Sequence, residues 1–141
     1  MKTKTLVVSI VTLLISIASY SQQFHTHKKD NLLFLLRQTE HINQAIKTME
    51  QLQSSAKTTL KTGKAVIIVC GEAVTSLTTA EGQAWVEKII KYPNVSIMAC
   101  GLSLTKFNKT QNDLVPGIKY TENGLIKAFE LQKDGYLSVE L

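Results

Sequence analysis

The run Ala65-Val-Ile-Ile-Val69 constrains this chain's fold more than any other segment. It is rich in β-branched residues and has no polar interruption. It therefore reads as a strand buried on both faces, the habit of a parallel sheet. The segments around it alternate in the way such a sheet requires. Asn31 to Arg37 (NLLFLLR) is a compact apolar stretch that predicts a first strand over about 31–37. One long helix running on to Gln53 is the alternative. Thr39 and Glu40 offer an N-cap and a first-turn acid. Behind them Ile42, Ala45, Ile46, Met49 and Leu52 recur at helical spacing, so a helix is predicted over about 39–54.

Lys57 to Lys64 reads as a loop turning at Gly63, and the second strand, 65–69, ends in Cys70-Gly71-Glu72. Residues 73–80 read as a threonine-rich loop or short helical turn. Gly82 to Tyr92 is a helix with Trp85, Ile89 and Ile90 on one side, stopped by Pro93 and Asn94. Val95 to Ala99 is the third strand. A short helix over 104–108, a polar loop over 109–113 and a short strand over 118–120 after the Pro116-Gly117 turn follow. Asn123-Gly124 opens a last helix carrying Leu125, Ile126, Phe129 and Leu131, which Asp134-Gly135 stops before a closing strand over 136–139. The order β-α-β-α-β-α-β-α-β specifies an α/β fold: a three-layer α/β/α domain with a mostly parallel, five-stranded, flavodoxin-like sheet and right-handed crossovers.

The start of the chain reads differently. Lys2 and Lys4 precede an apolar run from Leu6 to Ala18, and Ser19-Tyr20-Ser21 suits cleavage before Gln22. The run falls short of the roughly 20 residues of a membrane span. Residues 1–21 are therefore expected to be a signal peptide, 22–30 a mobile leader and 31–141 the folded domain. The expected protein is exported, periplasmic or secreted, with no stable membrane anchor after cleavage. His25 and His27 alternate in the leader with no third ligand near, so no metal site is expected. Cleavage removes Lys2 and Lys4 from a formal charge of +5. The remaining lysines form no stripe interleaved with aromatics, which excludes a nucleic-acid surface.

Cys100 is the principal candidate for chemistry. It follows the third strand directly and is followed by Gly101-Leu-Ser103. Ligands of open α/β sheets bind beyond the strands' carboxyl ends, and unpaired N–H groups of a helix start favour a thiolate. Gly101 would let backbone N–H groups face the sulfur, and Ser103 could cap the next helix. Arg37, at the end of the first strand, and His41, one turn into the helix after it, could stabilise the thiolate electrostatically. Cys70 is either a small apolar filler or a second thiol. In the usual flavodoxin-like order, 2-1-3-4-5, the first strand separates the second from the third. Two strand spacings then put the cysteines roughly 9–10 Å apart, beyond the about 7 Å that a disulfide tolerates. The pair is thus expected to be unbridged. No Gly-rich phosphate loop, no C-x-x-C and no loop suited to flavin phosphate is present, so no cofactor is expected.

The stretches VIIVCGEAV, NVSIMACGLSL and LVPGIKYTENGLIKAFELQKDGYLSVEL resemble the DsrE/DsrF-like sulfur-relay family, which includes TusD-type subunits. The likeness covers about 31–141. In competent members the cysteine after the third strand takes up sulfane sulfur as a persulfide and passes it to a partner thiol, a role that maps onto Cys100. The resemblance implies sulfur donor and acceptor proteins or small thiols as partners, and a homo-oligomer such as a trimer. The export signal sets this chain apart from the best-known members. So does Gly101-Leu-Ser-Leu-Thr105, which stands in place of an alanine- and arginine-rich helix. The expected function is sulfur carriage or thiol transfer through Cys100; the alternative is a non-enzymatic module binding a small ligand or protein on the same fold.

Overall fold

The computed structural model describes residues 29–54 and 58–141. The expected signal peptide and nearly all of the leader, with His25 and His27, lie outside the described residues. Among the described residues five strands and four α-helices follow in strict alternation: β1 (Asp30–Leu36), α1 (Thr39–Ser54), β2 (Thr62–Val69), α2 (Ala80–Ile89), β3 (Val95–Cys100), α3 (Gly101–Lys106), β4 (Lys119–Thr121), α4 (Gly124–Lys133) and β5 (Leu137–Glu140). All four strand pairings are parallel. Helices cover both faces, which is the α/β class that the alternation specifies.

Period-two alternation sorts the strand side chains between two cores. Leu32, Phe34, Leu36, Ala65, Ile67, Val69, Ile97 and Ala99 pack against α1, α2 and α3. Leu33, Leu35, Val66, Ile68, Cys70 and Cys100 face the other way, toward Ala128 and Leu131 of α4. The first core is the larger, with Trp85 at its centre donating its indole N–H to Asn43 Oδ1 at 3.0 Å.

Local boundaries differ from the sequence reading where backbone pairing or side-chain hydroxyls extend an element. β2 begins at Thr62, because an irregular register with β1 continues the ladder past Ala65. The threonine-rich stretch is a 3₁₀ helix, Gly71–Thr78. There Thr75, Ser76 and Thr78 return their hydroxyls to the carbonyls three residues back, at 2.8, 2.6 and 2.8 Å. β3 includes Cys100, and α3 starts at Gly101 without an intervening loop, earlier than the expected 104.

The strand order is β4-β3-β2-β1-β5, not 2-1-3-4-5. Each of the first three crossovers steps one strand in the same direction. The crossover through α4 returns across the sheet, and right-handedness then forces α4 onto the opposite face. β2 and β3 are therefore neighbours, with Val69 opposite Ala99. The expected separation of the cysteines is corrected on this ground: Cys70 and Cys100 follow paired residues on adjacent strands, one spacing of about 4.8 Å apart.

Ile97, fully buried on β3, gives a direct check on this core. Ile97→Ala should lower stability by about 2–5 kcal/mol, measured by urea unfolding followed through the fluorescence of Trp85, the single tryptophan.

Candidate functional site

β3 and β4 are neighbours whose continuing chains diverge, α3 to one face and α4 to the other. Such a switch point opens a crevice beyond the strand ends. Here it holds a cavity of about 190 Å³ whose wall includes Arg37, Cys70, Cys100, Ser103, Asn123 and Leu125. A larger groove of about 450 Å³ lies along Lys64, Val95 and Ser96, at the strands' amino ends and away from the thiols.

Both cysteines are free and buried, Cys70 8 % and Cys100 3 % exposed. The amino end of α4 closes over them. Asn123 caps this helix by accepting the N–H groups of Leu125 and Ile126 at 3.0 and 3.3 Å. The N–H of Gly124 donates instead to Cys100 Sγ at 3.3 Å. A Cβ at Gly124 would stand 2.8 Å from Cys70 Sγ, 2.9 Å from Ile68 Cγ2 and 3.1 Å from Cys100 Cβ. Only glycine allows the helix this close. On the other side Gly71, at φ +61°, turns the chain just after Cys70 so that its N–H donates to Ser103 Oγ at 2.9 Å.

The two thiols respond in opposite directions. For Cys100, burial opposes ionisation and is the largest single influence. The Gly124 N–H, the N–H and hydroxyl of Ser103 and the Cys70 thiol together outweigh it and hold Cys100 below the ordinary thiol range. For Cys70, burial comes first, followed by the Cys100 charge and donation of its own S–H to that sulfur, and its pKa is pushed up to about 12. Arg37 pulls weakly the other way. The site can thus hold one thiolate and, beside it, one protonated thiol.

The remaining expected residues divide. Ser103 shares the cavity wall with Cys100 but does not cap α3; Cys100 itself occupies the N-cap position, without a side-chain cap hydrogen bond. Gly101 is buried under the Tyr120 ring, and the nearest backbone donor to the sulfur is Gly124, not Gly101. Arg37 stands at the cavity wall in an exposed ion pair with Glu140 at 3.0 Å. His41 does not line the cavity, and its Nδ1 has no hydrogen-bond partner among the described residues. Asn123 and Gly124 are the residues that sequence reasoning missed as parts of the site. The Asn-Gly pair is readable as a helix start, and every helix start after a strand of this sheet lies at its carboxyl edge.

No family model matches this chain, and no curated protein does. Two solved structures share the fold. A protein of unknown function, MTH1491 from Methanobacterium thermoautotrophicum, superposes with a TM-score of 0.66 at 15% identity, over 81% of this chain and 100% of its own. A conserved protein of unknown function, BT1422 from Bacteroides thetaiotaomicron, gives 0.58 at 19% identity, over 79% and 95%.

Two outcomes test the site's construction. Because Cys100 ionises below a free thiol, its alkylation by iodoacetamide should reach half its plateau rate at a lower pH than that of free cysteine, and Ser103→Ala should move that midpoint upward. Gly124→Ala forces a methyl onto Cys70 Sγ and should cost about 1–3 kcal/mol in urea unfolding.

Proposed function

We propose that this chain is an exported sulfur carrier or thiol-transfer protein that acts through a persulfide on Cys100. The observation that carries this reading is the hydrogen bond from Gly124 N–H to Cys100 Sγ at the wall of the switch-point cavity. A thiolate is the nucleophile in sulfur exchange, and Cys100 is the thiol of the pair whose ionisation is favoured. In uptake, its sulfur attacks the outer sulfur of a donor persulfide. The donor's S–S bond breaks, its thiolate leaves and is protonated by water, and a persulfide remains on Cys100. In delivery, an acceptor thiolate attacks that outer sulfur and the Cys100 thiolate returns. Donor N–H groups from Ser103 and Gly124 serve Cys100 equally as attacking and as leaving group.

The resemblance to the DsrE/DsrF-like family across β2, β3 and the β4–α4–β5 region supports the same reading. Donor and acceptor are proteins or small thiols met outside the cytoplasm, in keeping with the signal-like start. A homo-oligomer, trimeric as in that family, is part of the proposal. Leu125, Ile126 and Phe129 of α4 are 45, 56 and 68 % exposed and support a covered face. Exposed Leu102 and Leu125 at the cavity wall also favour the second reading, a non-enzymatic module that binds a small ligand or protein segment there.

Glutathione persulfide separates the two. The reduced chain should release one equivalent of glutathione per chain, and Cys100→Ser should release none above background. Equal release from both proteins would overturn the carrier reading and leave the binding module.

A further inference from the structure

The carrier reading uses one thiol, yet the cavity holds two. Cys70 and Cys100 follow the paired residues Val69 and Ala99, so they stand side by side at the ends of adjacent strands. Both point toward α4 and both line the same cavity. One strand spacing of about 4.8 Å falls inside the Cα separations of about 4.4–6.8 Å that disulfides span. The space above Cys70 Sγ is kept open by the missing side chain of Gly124. A buried filler cysteine would not need a place in the cavity wall beside a second thiol.

We infer that Cys70 is a resolving thiol, which attacks a persulfide on Cys100 and discharges its outer sulfur as hydrosulfide. This rests on the carrier reading and gives that site a second outcome, reduction of sulfane sulfur in place of its delivery. The step balances within the pair. The Cys70 sulfur bonds to Cys100 Sγ, the bond from Cys100 Sγ to the outer sulfur breaks, and the departing sulfur takes the Cys70 proton. Two thiol electrons reduce the sulfane sulfur to hydrosulfide, and a Cys70–Cys100 disulfide remains. The cycle is reset by an external dithiol through thiol–disulfide exchange. The reaction that follows is therefore a dithiol reduction.

The protonation pattern sets the sequence of events. Cys70 stays a protonated thiol while Cys100 is the nucleophile, so the first sulfur goes to Cys100. Cys70 acts only once a persulfide stands next to it and offers a leaving group that can take its proton. A free acceptor thiol competes with Cys70 for the loaded carrier. That competition decides between delivery and discharge.

The test loads the reduced chain with glutathione persulfide, removes excess donor by rapid desalting, and follows intact mass and released hydrosulfide. Wild type should first gain one sulfur atom, then lose it together with two hydrogens, with one equivalent of hydrosulfide in solution. Peptide mapping without reduction should show Cys70 and Cys100 linked, a result that needs no variant. Cys70→Ser should stop at the persulfide and release no hydrosulfide, and because a neighbouring nucleophile acts at high effective concentration its loaded form should persist about tenfold longer or more. If wild type keeps its added sulfur as long as Cys70→Ser does and no linked peptide forms, the resolving role is overturned while the carrier reading stands. If neither protein takes up sulfur, the carrier reading falls and this inference with it.

Discussion

The contact between the first turn of α4 and the ends of β2 and β3 governs this molecule, and it exists because position 124 has no side chain. Taking an ion out of water costs several kcal/mol, whereas a hydrogen bond to a charged group contributes about 1.5–3 kcal/mol. The donors from Gly124, Ser103 and Cys70 acting together reverse the balance, and Cys100 ionises more readily than an ordinary thiol despite its burial. Cys70 receives no comparable set of donors and gives its own proton to the neighbour, so the same burial leaves it protonated. The difference between the two sulfurs is thus made by burial, which weighs first on Cys70, and by where the backbone N–H groups of α4 and α3 fall, which offset it at Cys100.

That placement follows from topology. Four strands are laid down by crossovers that each step to the next position, and helices from all of them crowd one face. The remaining crossover returns over the bare face, and among the described residues α4 alone forms the layer there. Its inward residues are small or slender: Gly124, Ala128 and Leu131. They let the helix settle close to the sheet, with its amino end over the thiols. A bulkier inner face would hold α4 further out and take the Gly124 N–H away from Cys100.

Much of this was legible in the sequence, and the failures share one cause. Element types are local, so NLLFLLR, AVIIV and VSIMA announced strands, and the spacing of Ile42, Ala45, Ile46 and Met49 announced a helix. Strand order is not local. A right-handed crossover of the length between Arg37 and Lys61 can step to either side, and nothing in those residues chose the side. The wrong order separated Cys70 from Cys100 and made an adjacent cysteine look like a distant filler. One clue lay in the apolar content itself: β1, β2 and β3 are nearly continuous in apolar residues and occupy the interior, while the short β4 and the amphipathic β5 form the edges. Cys100, Ser103 and Arg37 could be placed at the same sheet edge from sequence because a strand end is a local feature. Gly124 was read only as the opening of a helix, since its approach to Cys100 joins residues 24 positions apart in the chain. His41 was placed by sequence proximity to Arg37, but it does not reach the cavity.

The single-helix layer has a second consequence on its outer side. α4 turns small residues inward and therefore carries its bulk outward, with Phe129 68 % and Ile126 56 % exposed. Apolar surface of this kind is ordinary when scattered and expensive when contiguous. Covering it is what the proposed homo-oligomer would accomplish, and the need arises from the same choice of inward residues that brings Gly124 to the thiols. Leu125 belongs to both arrangements: it stands in the cavity wall and on the exposed side of α4. A copy packed on α4 would therefore border the entrance to Cys100, and under the proposed carrier reading it would tie access of donor and acceptor sulfur to assembly through one helix.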